Sequence, residues 1–237
     1  MDTADGAVLL VAADRRELEG LKSRCCGWEI LDLNLRLALR TRLGRRRLVL
    51  AADGPGPKLA ARAVRQACAA ERIRAIVSTG ACGALDPAFQ PGDIFVATEV
   101  TCPDTATAFP ARSPATAKPH RRGILVSVNR VVQTAAEKAA LSRFGQAVEM
   151  EAAAVAAEAH RCGLPFYAVR VVLDGARESF RLDYNAMRGP DERFSPARLL
   201  LAAVRRPQVA LPELLRLRRR LRWSSEILGE FLAGCEF

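Results

Sequence analysis

An α/β fold, with a central mixed, twisted sheet flanked by helices, is predicted by three observations. Short apolar runs recur at Val8–Ala12, Leu48–Ala52, Ile73–Ser78, Ile94–Thr98, Ile124–Val128 and Phe166–Leu173. Most are continuously apolar, as strands covered on both faces are. Segments of helical period separate them, at Arg15–Arg24, Lys58–Glu71, Val131–Phe144 and Ala152–Cys162, and this alternation belongs to a mostly parallel or mixed sheet with helices on both sides. Finally, 237 residues with 50% hydrophobic content can bury a substantial core, and neither a repeat nor a domain boundary interrupts them. Residues 1–237 therefore read as one domain, with a basic helical extension over about 195–235.

The remaining elements follow from local chemistry. From Leu31 to Leu39 leucine takes every second position, the mark of a half-buried strand. Gly44 among its arginines marks a turn into Leu48–Leu50, so an antiparallel hairpin is expected at one edge of the sheet, with arginines discouraging edge-to-edge pairing. Residues 103–122, rich in Pro, Thr, Ala and Ser, read as a mobile loop, and 174–194 as an irregular segment. Ser195 and Pro196 open a helix as cap and first residue. Pro207 is expected to end that helix and Pro212 to begin a longer one.

Composition limits the function classes. The seven cysteines, Cys25, Cys26, Cys68, Cys82, Cys102, Cys162 and Cys235, never fall in a CxxC spacing, and only His120 and His160 accompany them. Neither a zinc site nor a disulfide framework is expected from that pattern. A net charge of +10 favours anionic partners. Aromatic content is only 5%, however, and no aromatic residues interleave with the arginines, which argues against nucleic acid. No apolar run reaches bilayer length, and the N-terminus is acidic ahead of its apolar stretch, the reverse of a secretory signal. The expected compartment is the cytosol.

The segment Ala147–Ala156 carries the most chemistry. Glu149 and Glu151 stand two residues apart where an apolar run becomes a small-residue helix. Residues i and i+2 share a face on a strand but not on a helix. The pair can serve one site only if the chain is still extended there. Four further polar or Gly-rich segments sit at the ends of apolar runs: Ala12–Glu17, Asp53–Lys58, Ser78–Leu85 and Asp174–Gly175. Open α/β sheets build their sites at the carboxyl ends of strands.

Thr79-Gly80-Ala81-Cys82-Gly83-Ala84-Leu85-Asp86, Pro91-Gly92-Asp93-Ile94, Val148-Glu149-Met150-Glu151-Ala152 and Val169-Arg170-Val171-Val172-Leu173-Asp174 together resemble the nucleoside phosphorylase and nucleosidase superfamily. The likeness is greatest to the methylthioadenosine/S-adenosylhomocysteine nucleosidase branch. Order and spacing agree over residues 7–175. The resemblance implies that Met150 and Glu151 hold the ribose, with Glu149 in support; a carboxylate can accept from two hydroxyls. It implies that Asp174 donates a proton toward N7 of the leaving purine, and that Glu17 positions the attacking water. Ala81, Cys82, Gly83 and Val131 fall at purine-binding positions. Gly54, Gly56 and Lys58 form a candidate anion or water site. A carboxylate beside C1′ disfavours a phosphate dianion and favours water, so hydrolysis is expected, with phosphorolysis or binding without turnover as alternatives. No cofactor is required. The resemblance also implies a homodimer or higher homo-oligomer.

Three positions depart from the family pattern. Leu173 replaces a serine or threonine before the aspartate, Ala81 a serine in the Gly-rich turn, and Val131 an aromatic residue that stacks on the purine. Beyond residue 175, Leu182-Asp183-Tyr184-Asn185, Arg193-Phe194-Ser195 and the Arg/Leu helix at Leu211–Trp223 resemble a bacterial subgroup called hopanoid-associated phosphorylases. That resemblance implies release of adenine from adenosylhopane, a nucleoside joined to a triterpene lipid. Leu214, Leu217, Leu221 and Leu228 recur at helical spacing among Arg216, Arg218, Arg219, Arg220 and Arg222. Such a helix either lies on the inner face of an anionic membrane or packs its leucines on the domain.

Overall fold

The long apolar strand that follows the second helix pairs with three others, two in parallel and one antiparallel, and organises the whole molecule. The computed structural model describes residues 6–237. Its strands are β1 (Ala7–Ala12), β2 (Cys26–Ile30), β3 (Leu37–Leu43), β4 (Arg46–Ala52), β5 (Ile73–Ala84), β6 (Ile94–Cys102), β7 (Thr107–Pro110), β8 (Arg121–Ser127), β9 (Ala147–Glu149) and β10 (Phe166–Asp174). Its helices are α1 (Glu19–Lys22), α2 (Pro57–Ala70), α3 (Ala135–Leu141), α4 (Ala152–Arg161), α5 (Pro196–Arg205) and α6 (Pro207–Ala233), with a 3-10 turn at Arg15–Leu18 leading into α1.

The sheet is mixed, in the order β10-β6-β8-β9-β5-β1-β4-β3-β2. A further pairing of β10 with β5 closes β5, β10, β6, β8 and β9 into a ring. Strands β4, β1, β5 and β10 run parallel, so their carboxyl ends open on the same side. Strand β9 meets the far end of β5 antiparallel, through Gly83↔Val148 and Ala84↔Ala147. Its last residue, Glu149, is thereby brought to the same end of the sheet as Asp174 and Ala12. The core lies on both faces. One cluster sets Leu9, Val49, Ile76, Phe95 and Leu125 against Ala60, Ala63 and Val64 of α2 and Val155 and Ala156 of α4. The other sets Leu10, Leu50, Val77 and Val169 against Leu228, Phe231 and Leu232 of α6.

The structure departs from the sequence expectations where tertiary contacts outweigh local pattern. Strand β5 runs on to Ala84 instead of ending at Ser78; its glycines, which read as a turn, are held in strand by β10 and β9. Residues 31–36 are not strand. Leu33 N donates to Leu31 O and Leu35 N to Leu33 O, a pair of tight turns that lets Leu31 and Leu35 pack on the core. The hairpin through Gly44 is present, but β2, exposed along its length, forms the edge in its place. Residues 103–122 are not a free loop: β7 pairs with β6, and Ala115 bridges Glu236. Pro212 does not begin a helix. Helix α6 starts at Pro207 and carries Pro212 inside its first turns. Its second half is core, with Ser224, Ser225, Leu228, Gly229, Phe231 and Leu232 buried.

Candidate active site

The ends of β1, β9 and β10 each bring a carboxylate to the site, and hydrogen bonds fix its direction. At the end of β1, Asp14 caps the 3-10 turn and Glu17 closes the capping box. The Glu17 carboxylate accepts from Ala13 N (3.1 Å), Asp14 N (3.0 Å) and Ala81 N (2.9 Å). It lies against the backbone of β5 because residue 80 is glycine: at a φ of +132° a Cβ there would stand 2.8 Å from Glu17 Oε1. Enclosure by protein pushes the Glu17 carboxyl up, opposed by the N–H groups of Ala81 and Asp14.

The Glu149/Glu151 pair sits where strand becomes helix, as its spacing requires. Glu149 ends β9, and its carboxylate accepts from Glu151 N (2.9 Å) and Ala152 N (2.9 and 3.0 Å), capping α4. It also accepts from Arg170 Nη2 at 2.6 Å, and the same nitrogen donates to Ser78 Oγ at 2.7 Å. Both members of that ion pair are almost wholly buried. Glu149 is thus occupied by structure. Glu151 is different: among the described residues its Oε1 accepts only from Gly56 N, at 2.8 Å. Burial, reinforced by the neighbouring Glu149 charge, pushes its carboxyl up to about 8.

Asp174 ends β10 and is buried. Its Oδ2 accepts from Lys138 Nζ of α3, and Lys138 also donates to Gly175 O (2.8 Å) and Glu178 O (3.1 Å). Burial pushes the Asp174 carboxyl up and the Lys138 ammonium opposes it.

Glu17, Glu149, Glu151 and Asp174 line one cavity of about 240 Å³, together with Ala81, Cys82, Gly83, Val131 and Met150. An apolar part of its wall comes from far along the chain: Phe180, Tyr184, Phe194, Leu217 and Leu221. The turn over residues 54–58 is placed otherwise. Gly54 faces Leu59 and Arg193, Gly56 spends its N–H on Glu151, and the Lys58 side chain is 81% exposed, 3.4 Å from Glu192. Arg130 is the cation on the lining among the described residues.

The sequence patterns give Arg170 and Lys138 no place at the site, and the motifs that hold Tyr184, Phe194, Leu217 and Leu221 do not show that these residues wall the cavity with Phe180. Arg170 carries a signal, since a lone charge inside the apolar run Phe166–Leu173 must find a buried partner. Lys138 carries none: Ala135–Leu141 reads as an ordinary helix with a solvated lysine. The wall residues are brought together by packing between residues 180–194 and helices α5 and α6.

A family model described as the phosphorylase superfamily matches residues 8–205. The chain belongs to the phosphorylase superfamily. The match spans every strand end that carries a carboxylate of the site. Compared by sequence with curated proteins, this superfamily member matches none. Its structure is similar to S-adenosylhomocysteine nucleosidase of Streptococcus pyogenes in complex with 5-methylthiotubericidin, at 17% identity and a TM-score of 0.75 over 98% of this chain and 96% of that one. It is also similar to 5′-methylthioadenosine/S-adenosylhomocysteine nucleosidase of Neisseria meningitidis in complex with methylthio-immucillin-A, at 21% identity and a TM-score of 0.69 over 96% and 99% of the two chains. Futalosine hydrolase of Helicobacter pylori is a third, at 14% identity and a TM-score of 0.71 over 97% and 96%. At such identities the likeness is one of fold.

Proposed function

We propose that the protein cleaves the N-glycosidic bond of a 5′-substituted adenine nucleoside, with water as the nucleophile. The observation that carries this reading is the convergence of Glu17, Glu151 and Asp174 on one cavity in three different environments. When the base leaves C1′, negative charge builds on the purine and oxocarbenium character on the sugar. Asp174, whose proton affinity burial raises, supplies a proton toward N7. Glu151, with Met150 beside it, takes the ribose hydroxyls as acceptor. Glu17 orients the water and faces the developing positive charge.

The lining supports water over phosphate. Glu17 stands at the mouth of β1 on the lining, Glu149 is already paired with Arg170, Lys58 is turned outward and the Gly56 N–H is already taken, so that Arg130 is the cation left on the lining among the described residues. A phosphate dianion would enter this field at a cost that neutral water avoids. The test is base release from methylthioadenosine, S-adenosylhomocysteine and adenosine, followed chromatographically. Wild-type protein should release adenine, and Asp174→Asn should do so on the order of 10²–10⁴-fold more slowly. Equal rates for the two would refute the role given to Asp174.

A second observation bears on what the 5′ position carries. Leu200, Leu201 and Val204 of α5 and Leu211 and Leu215 of α6 are all exposed, and Leu217 and Leu221 farther along α6 line the cavity. Arg205, Arg206, Arg218, Arg219 and Arg222 stand exposed around this apolar face. We read the face as a contact with an anionic bilayer and the substrate as a lipid-linked nucleoside, whose tail would leave the cavity along α6. Co-sedimentation with anionic vesicles should be strong at low salt and lost at high salt. Absence of such binding, with dimers in solution, would assign the face to a second copy of the chain.

A further inference from the structure

Lys138 is among the largest fully buried side chains of the protein, at 1% exposure. A lysine ammonium stays buried only where its protons are taken up, and here the partners are Asp174 Oδ2, Gly175 O and Glu178 O. The Phe180 ring lies 5.9 Å away and shields the amine. One carboxylate oxygen of Asp174 is therefore committed. Oδ1 accepts no hydrogen bond from any described residue, and Asp174 lines the cavity. Leu173, the residue before it, has no side-chain hydrogen bond to offer. Gly83 sets the other limit, since a Cβ there would stand 3.1 Å from Asp174 Oδ2.

We propose that Lys138 is a positioning residue for the general acid: it captures Oδ2 of Asp174 and so presents Oδ1 alone to the leaving base. This deepens the function proposed above and rests on it. The lysine does two things at once. By holding Gly175 and Glu178 it fixes the segment after β10, and Glu178 in turn accepts from Arg220 Nη1 at 2.7 Å. Helix α6, which carries Leu217 and Leu221 into the cavity, is thereby tied to the same amine. Its charge also opposes burial and limits how long Asp174 keeps its proton as pH rises. The other groups that face Asp174 are Cys82 of β5, Glu178 of the following segment and Arg220 of α6. Glu178 raises the proton affinity of Asp174 and Arg220 lowers it.

The experiment compares wild type, Lys138→Met and Lys138→Arg, with Asp174→Asn as control. Adenine release is measured across pH, and the Asp174 carboxyl is titrated by ¹³C NMR, its resonance identified by its loss in Asp174→Asn. A misplaced acid costs on the order of 10²-fold, so Lys138→Met should lose about that much in kcat with little change in KM. The alkaline limb of its kcat profile and the carboxyl titration should both move to higher pH. Lys138→Arg should restore both towards wild type. A fall in kcat and thermal stability with the limb and the titration unmoved would overturn the proposal and leave Lys138 a structural staple. If Lys138→Met does not fold, Lys138→Gln, which keeps a donor without the charge, is read in the same way. A wild type that releases no base from any nucleoside would sink the proposed function instead, and the NMR titration would still decide whether Lys138 governs Asp174.

Discussion

Glu151 is the carboxylate whose charge the fold accommodates least, and this gives it a measurable signature. Its folded-state value is pushed up to about 8 from an ordinary 4.5 by burial and by Glu149. A group with raised proton affinity contributes stability below its unfolded value and loses it as pH rises through the folded one. Glu151→Gln keeps an acceptor for Gly56 N and has no proton to lose. Melting temperatures of the two proteins should therefore diverge in favour of glutamine from about pH 5 to about pH 9. A constant difference across that range would show that Glu151 is already ionised at neutral pH. Glu17 is held by donors only, the N–H groups of Ala13, Asp14 and Ala81. In Glu17→Gln the new NH₂ must turn away from them, leaving a buried donor unpaired at a cost of about 1–3 kcal/mol. Loss of activity beyond what the melting temperature explains would mark its part in placing water. Glu17 is legible in sequence through the family resemblance, and the Glu149/Glu151 pair through a spacing that demands extended chain. Lys138 is not legible, since nothing in a helix of alanines and one Lys/Glu pair distinguishes a solvated amine from a buried one.

At the scale of elements, α6 supports Glu17 from behind. Ser225 Oγ donates to Glu17 O at 3.2 Å and accepts from Gly20 N at 3.0 Å. Helices α1 and α6 cross through two glycines: a Cβ on Gly20 would stand 2.0 Å from Ser225 O, and one on Gly229 would stand 2.2 Å from the carbonyl carbon of Gly20. Gly229→Ala should destabilise the protein by about 1–3 kcal/mol in chemical denaturation, as overpacking does. By moving α1 it should also lower kcat. A variant with full activity and unchanged stability would show that the crossing can relax. The differences between sequence expectation and structure at this scale have a common origin. Local preference makes a turn of the glycines in β5 and a strand of the leucines at 31–35, whereas the ladder with β10 and β9 and the pull of the core decide their conformation. Pro212 reads as a helix start, yet a helix that begins at Pro207 runs through it, without the hydrogen bond that Gln208 O would accept from a non-proline residue at 212.

At the scale of the whole molecule, the parallel block β4-β1-β5-β10 and the short strand β9 bring Glu17, Glu151 and Asp174 to one cavity from positions 157 residues apart in sequence (17 to 174). The sequence pattern points to this convergence because ligands bind at the carboxyl ends of parallel strands. The closure of the ring through β10 and β5, and the apolar wall that joins Phe180, Tyr184 and Phe194 to Leu217 and Leu221 of α6, depend on contacts between distant segments that no local period records. The same helix is core from Ser224 onward and two-sided before it, with Ala210 and Glu213 buried, Leu217 and Leu221 on the cavity, and Leu211 and Leu215 exposed. No helix among the described residues is long and apolar enough to cross a membrane. Vesicle binding should therefore be peripheral and reversed by salt. Cleavage of a nucleoside by water at the carboxylate-lined cavity is tested by incubating the protein with methylthioadenosine in phosphate buffer and identifying the sugar. Free 5-methylthioribose together with adenine is the expected result; 5-methylthioribose 1-phosphate, or intact nucleoside across a panel that includes lipid-linked adenosine, would contradict it.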